Sequence, residues 1–290
     1  MKKIALVAIA LSSSVAFAQT TLGDLNFFQK KGSIYYQGSI GESSYTFVDS
    51  LSNNKTELEG MGFKNQIGYG IADNLNVFLE TTLKFQNYTR INNNEDHQDN
   101  GFTNPGVGAN YRLLSGPAYF DVFGKVNMRI QDAEVGSGRK DGNAASAPDF
   151  TALVGAAFGQ RIDNANEYRF TAGIAHNTEG EVKNLGTSDK SSTDSSTDLF
   201  LTADYQVRPV DTFMLDFGIS GTRYGKFSQK NKATNLKTSL DAHYETNLSF
   251  KAKFLITDNL LVSFFMNGGV VYPDYSGKSG ATSFDPTTIS

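Results

Sequence analysis

Two polar residues near the middle of the chain have types and a spacing that could do chemistry. In "GIAHNTEG", Gly173 to Gly180, His176 and Thr178 lie two positions apart, so on a strand both side chains leave the same face. Hydrolysis would use Thr178 as nucleophile and His176 as base, with an amide or carboxylate to orient the imidazole. Asn184 is too near to be that third group, and no convincing one follows. A histidine at the interfacial end of a strand is the preferred reading. The chain has 3 histidines, widely separated at His97, His176 and His243, and no cysteine, so neither an imidazole nor a thiolate metal site is expected. No catalytic residue, metal or cofactor is assigned.

The other residues able to do chemistry are charged. One face of the predicted strands collects Lys64, Glu80, Lys84, Arg112, Asp121, Lys125, Arg129, Arg161, Arg169, Asp204, Asp216, Asp241, Glu245, Lys251 and Lys253. Both signs occur in similar numbers. They either pair across a filled lumen or line a narrow polar channel whose charges set selectivity. Phe78, Phe123 and His243 share this face, and the two phenylalanines are candidates for touching a solute in the lumen.

What could place so many charges on one side is a set of long strands. From Leu75 to Tyr88 the chain alternates strictly: Leu75, Val77, Leu79, Thr81, Leu83 and Phe85 against Asn76, Phe78, Glu80, Thr82, Lys84, Gln86 and Tyr88. That is the period of a strand. Ala118 to Gln131 and Leu240 to Ile256 repeat it, setting Tyr119, Asp121, Phe123 and Lys125, and Asp241, His243 and Glu245, opposite apolar rows. These lengths exceed ordinary globular strands. One face suits lipid and the other water.

Short connections fall at Asp73, Ser115, Asp163, Pro209 and Asp258, with one long hairpin between each pair. Longer polar stretches lie around Asp49 to Thr56, Thr89 to Gly101, Gln131 to Ala147, Asn184 to Thr197, Phe227 to Lys237 and Pro273 to Ser283. Bacterial outer-membrane barrels alternate short periplasmic turns with long extracellular loops in this way. The pattern predicts an all-β, antiparallel, up-and-down transmembrane barrel of about twelve strands over residues 32–290. The run "SDKSSTDSSTD" from Ser188 reads as a mobile external loop. A twelfth strand must follow the sixth loop, and only its start is expected in "SFDPTTIS", so its remainder is suspected to be missing. Tyr69, Tyr111, Tyr119, Tyr168, Tyr205 and Phe213 lie beside the short turns and suit an aromatic girdle.

The beginning of the chain explains how such a barrel would reach its membrane. Lys2 and Lys3 precede an apolar run from Ile4 to Leu11 and small residues ending in Ala16-Phe17-Ala18, the form of a secretory signal cleaved before Gln19. Residues 19–31 would then be an N-terminal periplasmic segment. Cleavage leaves 24 basic and 30 acidic side chains, a net charge of −6. The acidic balance and the export signal argue against nucleic acid. The expected partners are outer-membrane lipid, a small-molecule solute and, during insertion, the barrel-assembly machinery of a Gram-negative bacterium. Oligomeric state is open.

Two resemblances follow from particular residues. "YGIADNLNVFLE", Tyr69 to Glu80, and "GFTNPGVGANYRLLSGPAYFDVFGKV", Gly101 to Val126, resemble the outer-membrane family named for the meta-pathway of phenol degradation. Members have a "YGLTDNL"-like turn and a "GLGDPxLGxKYRLL"-like strand; here Asn104-Pro105-Gly106 replaces the usual Gly-Asp, and Asn110 replaces Lys. The resemblance covers about half the chain and implies a barrel that passes small, often hydrophobic or aromatic, molecules. "GIAHNTEG" looks like the His-x-Ser motif of outer-membrane phospholipase A, with Thr178 at the serine position. The leading expectation is a passive channel for small solutes. A closed structural barrel displaying its loops comes second, and a phospholipase using His176 and Thr178 last.

Overall fold

The computed structural model describes residues 6–15, 25, 27–49, 55–91, 94–136, 141–185, 189–235, 237–257, 260–271, 277–279, 282–284 and 286–288. Twelve long strands form the wall. They are β1 (Leu6–Val15), β2 (Ile34–Asp49), β3 (Lys55–Ala72), β4 (Leu75–Ile91), β5 (Gly106–Leu114) and β6 (Ala118–Met128). The second half adds β7 (Phe150–Arg161), β8 (Asn166–Asn177), β9 (Ser196–Val210), β10 (Phe213–Tyr224), β11 (His243–Thr257) and β12 (Leu260–Val271).

Each strand pairs antiparallel with the next. β12 pairs with β1, which closes the ring. This is an up-and-down antiparallel barrel. Closure leaves no wall strand with an unpaired edge, the condition a sheet must meet in lipid.

The twelfth position departs from expectation in its occupant. β1 lies within residues 1–18, read from the sequence as a cleavable signal, and it sits between β2 and β12. Pro286–Thr288 pairs with Phe47–Asp49 on the same edge of β2 and runs in the same direction as β1. The expected start of a closing strand is therefore seen, further along the seam that β1 fills.

The predicted alternation decides what faces each way. Ile67, Leu79, Val154, Leu201, Ile219 and Leu248 are among many large apolar side chains exposed on the outer face. Asp73, Ser115 and Asp163 lie between strands as expected, Pro209 is still within β9 with the turn just after it, and Asp258 lies outside the described residues. At the β7–β8 turn, Asp163 Oδ1 accepts from the backbone N–H of Ala165 (2.7 Å) and Asn166 (2.8 Å) and from the Asn166 amide. These donors hold the Asp163 carboxyl below the usual carboxylate range, the Asn166 side chain most of all.

At the opposite end the expected loops are more ordered than their composition suggests. Ala133–Val135, Gly180–Asn184, Lys190–Thr193, Phe227–Asn231, Lys237–Leu240, Gly277–Ser279 and Thr282–Phe284 form a second sheet. The serine-rich run thus contributes a strand, with Ser191 and Thr193 buried, rather than a free loop. Polar residues that alternate can form a sheet when neighbouring strands satisfy their backbone.

Ion pairs tie this sheet together: Lys183 to Glu134 (3.3 Å), Lys237 to Asp194 (2.9 Å), and both Lys190 and Lys232 to Glu181. The Lys232 contact lowers the Glu181 pKa, and the hydrogen bond from Lys237 lowers that of Asp194. A carboxylate with a lowered folded pKa stabilises above its unfolded value and loses that contribution as pH falls through the folded one. Hydrogen exchange, corrected for its intrinsic rate, is expected to accelerate in residues 190–193 and 228–231 below about pH 4. The wall strands should stay protected. Unchanged protection of the outer sheet at pH 3 would contradict this.

Candidate functional site

The lumen has two levels with different chemistry. The lower one, at the short-turn mouth, is crossed by the chain itself. Of residues 19–31, expected as an N-terminal periplasmic segment, residues 25 and 27–31 are described, and these lie against the barrel wall. Phe27 packs against the buried pair Met214 and Leu261, together with Leu255. The Phe28 ring lies 4.5 Å from the Arg112 guanidinium. With the Asn76 carboxamide oriented to satisfy both groups, it donates to Gln29 O (3.0 Å) and accepts from Gln29 N (3.1 Å).

The segment is fixed again where it enters β2. Lys31 N donates to Asp73 Oδ1 (3.1 Å), Gly32 N to Gly70 O (2.8 Å) and Gly70 N to Ser33 O (3.0 Å). Gly70 is required for that approach, because a Cβ there would run into the Lys30 carbonyl. Further back, Arg169 Nη1 donates to Leu25 O at 3.4 Å. The contacts reach β3, β4, β5, β8, β10 and β12, so the segment spans the mouth as a plug.

Around the plug the wall's charges are paired. Arg112 grips Asp121 with two bonds, Nε to Oδ1 at 2.7 Å and Nη2 to Oδ2 at 2.9 Å. Such a bidentate pair is among the stronger charge-assisted contacts. The guanidinium is stacked between Phe28 and Tyr119, the latter at 4.8 Å. Across the lumen, Lys253 meets Asp216 at 2.5 Å with side chains only 9% and 10% exposed. Gln206 also donates to Asp216 (2.7 Å).

Tyr119 corrects one sequence assignment. Its place beside a short turn suggested a girdle, but it is 0% exposed and points into the lumen. Tyr69, Tyr111 and Tyr205 do face outward. Strand phase, which set Tyr119 beside Asp121, was the better guide.

The upper level is less filled. Glu80 joins Lys64 (2.8 Å) and Lys125 (2.9 Å), and Lys64 remains 48% exposed. Beside Glu80 a polar cavity of about 120 Å³ is lined by Thr82, Thr103, Asn104, Asn127 and Ser146. Lys84 is exposed, while Lys251 lies opposite Asp216 on the neighbouring strand.

Several aromatic rings line the wall in a repeated arrangement. Phe78 stands opposite Gly108, Phe123 opposite Gly155, Phe200 opposite Gly173, Tyr119 opposite Gly159 and Tyr35 opposite Gly68. In each pair a Cβ on the glycine would collide with the ring. Each ring therefore lies over its glycine, against the wall rather than across the lumen. Phe123 and Phe200 are 6.5 Å apart. Phe78 and Phe123 were predicted as lumen residues; Phe200 and Tyr35 were not.

No family model matches this chain, and no curated protein does. Among solved structures it is similar to the crystal structure of an outer membrane channel from Pseudomonas putida F1, at 11% identity, 92% of this chain, 95% of that chain and a TM-score of 0.48. The fold therefore rests on the strand pairing described above. The resemblance of Tyr69 to Glu80 and Gly101 to Val126 to the phenol meta-pathway family is not accompanied by a match to a family model.

Of the remaining predicted lumen residues, Arg129, Asp241, His243 and Glu245 lie toward the outer rim. Arg129 pairs with Asp149 and donates to Ala147 O (3.1 Å) and Glu181 O (2.9 Å), so it binds the loops to the wall. Asp241 was placed on a continuous strand with Glu245, but β11 starts only at His243, and Asp241 pairs with Lys226 (3.1 Å) beyond the wall. His243 stacks on Tyr224 (4.8 Å), whose hydroxyl donates to Glu245. Asp204 and Arg169 are cross-strand neighbours below Phe200.

His176 and Thr178 are not brought together. His176 Nδ1 meets Thr197 Oγ1 at 3.0 Å, whereas the Thr178 hydroxyl donates to Phe150 O and accepts from Phe150 N, both at 3.1 Å. His176 is exposed on the outer face, as its phase predicted.

Proposed function

We propose that the chain is exported, loses residues 1–18, and acts in a Gram-negative outer membrane as a channel for passive passage of small solutes. In that form the seam that β1 fills between β2 and β12 must be closed by another strand, and Pro286–Thr288 already pairs with that edge of β2. The observation that carries this reading is the division of the lumen. The wall's own side chains are held back, by ion pairs and by rings seated over glycines. What narrows the lower mouth is the segment leading into β2, held against the wall by noncovalent contacts alone.

Solutes with an apolar or aromatic part suit this lumen. Phe78, Phe123 and Phe200 present ring faces on one sector of the wall, beside Lys125 and below the exposed Lys84. A ring-to-ring contact stabilises by about 0.5–1.5 kcal/mol beyond burial. That favours brief contacts in passage rather than tight binding.

The purified outer-membrane form, expected to begin at Gln19, should give discrete conductance steps in planar bilayers. In liposomes it should admit an aromatic carboxylate faster than an aliphatic one of equal charge. Replacing Phe78, Phe123 and Phe200 together by alanine is expected to reduce that preference about fivefold, the equivalent of roughly 1 kcal/mol. A protein that neither conducts nor admits either solute would overturn the channel reading.

A further inference from the structure

The cavity beside Glu80 is built by the wall and one loop together. β4 brings Glu80 and Thr82 to the inner face and β6 brings Asn127, with Gly106 of β5 in register between Glu80 and Asn127. A Cβ on Gly106 would run into Asn127 Oδ1 and crowd Lys125, so this glycine opens the floor over which both side chains lie. Toward the loops the wall continues through two backbone bonds, Thr103 N to Thr82 O (2.8 Å) and Met128 N to Pro105 O (2.9 Å). They set Thr103 and Asn104 at the cavity's edge.

The roof comes from the loop after β6. Ala144 N donates to Asn100 O (3.2 Å) at one end, and Ala147 O accepts from Arg129 Nη1 (3.1 Å) at the other. Arg129 is on the inward row with Lys125 and Asn127, so the segment between these anchors lies on the lumen side. There Ser146 stands over the cavity, and its hydroxyl accepts from Asn104 Nδ2 (2.7 Å).

The lining selects its occupant by charge and by hydrogen bonding. Glu80 is the charged side chain among the lining residues, and each of its oxygens already meets an ammonium, Lys64 at 2.8 Å and Lys125 at 2.9 Å. Neither lysine lines the cavity. An anion would therefore face a carboxylate, and a cation would compete with two lysines for it. The other lining side chains are hydroxyls and carboxamides, which both donate and accept. Asn104 Oδ1 is buried and, among the described residues, accepts no hydrogen bond. An apolar guest would leave that oxygen without a partner, which is costly in a buried site. The volume of about 120 Å³ approaches the roughly 150 Å³ of a cavity that takes benzene, so one six-membered ring enters it in large part.

We propose that this cavity is a binding site for a neutral polyhydroxylated solute of monosaccharide size. Its hydroxyls bond Asn104 Oδ1, the Asn127 carboxamide and the hydroxyls of Thr82 and Ser146. Its C–H face turns down toward Phe78, the next inward residue below Glu80, whose ring lies over Gly108. The site adds a second class of solute to the aromatic ones and rests on the channel reading only for access to the lumen.

The test uses the mature protein in a polyoxyethylene detergent, which carries no sugar headgroup, with binding read by saturation-transfer NMR titration. The probes are glucose, glucuronate and glucosamine, one ring carrying no charge, a negative charge and a positive charge. Glucose is expected to saturate and to bind more tightly than either charged ring. Asn127→Leu, which keeps the side chain's size, should weaken glucose about fivefold, the effect of losing one hydrogen bond of ordinary strength. Ser146→Ala, at an exposed loop position, should weaken it in the same direction. Both variants should keep the wild-type β-sheet circular dichroism.

The absence of a saturable glucose signal would mean that the cavity holds water alone, and equal glucose binding by wild type and both variants would put the sugar elsewhere. Either result overturns the site. Tighter binding of glucuronate or glucosamine, lost in Asn127→Leu, overturns the neutral assignment. Glucose binding by a protein that shows no conductance would fault the channel reading and leave this site standing, and conductance without glucose binding would do the reverse.

Discussion

Removing residues 22–31, with the cleavage site before Gln19 kept, is expected to raise single-channel conductance several-fold. The reason lies in how the plug is held. Its contacts are one stacked guanidinium, one apolar cluster and a few hydrogen bonds, among them one to the Asp73 carboxylate and one from the Arg169 guanidinium. Each hydrogen bond contributes a net of about 1 kcal/mol, and the cation–π contact about 0.5–2 kcal/mol. Ordering the segment's backbone costs about 1–2 kcal/mol per residue. Each contact is weak on its own and is opposed by the ordering of the segment, so the segment can be released while the strand pairing of the wall stays intact.

The wild-type channel should therefore show brief, irregular openings, and the deletion should lengthen and enlarge them. Phe28→Ala, which removes only the ring over Arg112, should fall between the two. The Arg112–Asp121 pair keeps both its bonds in each variant, so the wall itself should not collapse. Planar-bilayer recordings decide the matter. Conductance and open time unchanged by the deletion would mean that the wall, not the plug, sets the constriction.

Which side of each strand meets lipid was legible because strand period is a strong signal; closure was not, because the seam is filled by β1, from residues read as a signal. Twelve to eighteen alternating residues, as in β3 or β9, leave little freedom about which face meets lipid. The ion pairs were only half legible. Phase put Asp216, Lys251 and Lys253 on one face, but register sets Lys251 directly opposite Asp216 and leaves Lys253 to reach it diagonally. Register depends on turn geometry and bulges, such as the one between Leu255 and Thr257, which composition does not reveal.

The plug was missed for a different reason. "LNFFQKKG" has no periodicity, so nothing local separates a segment in solvent from one inside a barrel. Its two adjacent phenylalanines ahead of a lysine pair were the available hint: apolar side chains outside a strand need somewhere to be buried. The ring-over-glycine pairs also had a readable component. Gly108, Gly155, Gly159 and Gly173 fall on inward rows, where a glycine makes room for a cross-strand aromatic. Recognising the partner again needs register. The outer sheet was misread because a Ser/Asp-rich stretch has the composition of a loop, while of its two strand partners one is Gly180–Lys183 in the same loop and the other Gln229–Asn231 in the next.

Lys253→Met should be the most destabilising single change in the lower lumen. It leaves the Asp216 carboxylate, 10% exposed, with the Gln206 amide and the cross-strand neighbour Lys251 but without the ammonium that bonds it. Breaking a buried ion pair from one side costs about 3–5 kcal/mol, because the remaining charge keeps its desolvation penalty without its partner. Adding Asp216→Leu should recover most of that loss, since removing both charges abolishes the penalty and substitutes packing against Met214 and Leu261. Urea unfolding in lipid vesicles would measure both variants. If the single variant loses less than about 1 kcal/mol, the level of an exposed pair, then water reaches Asp216 freely, and the mouth around it is open enough to conduct with the plug seated.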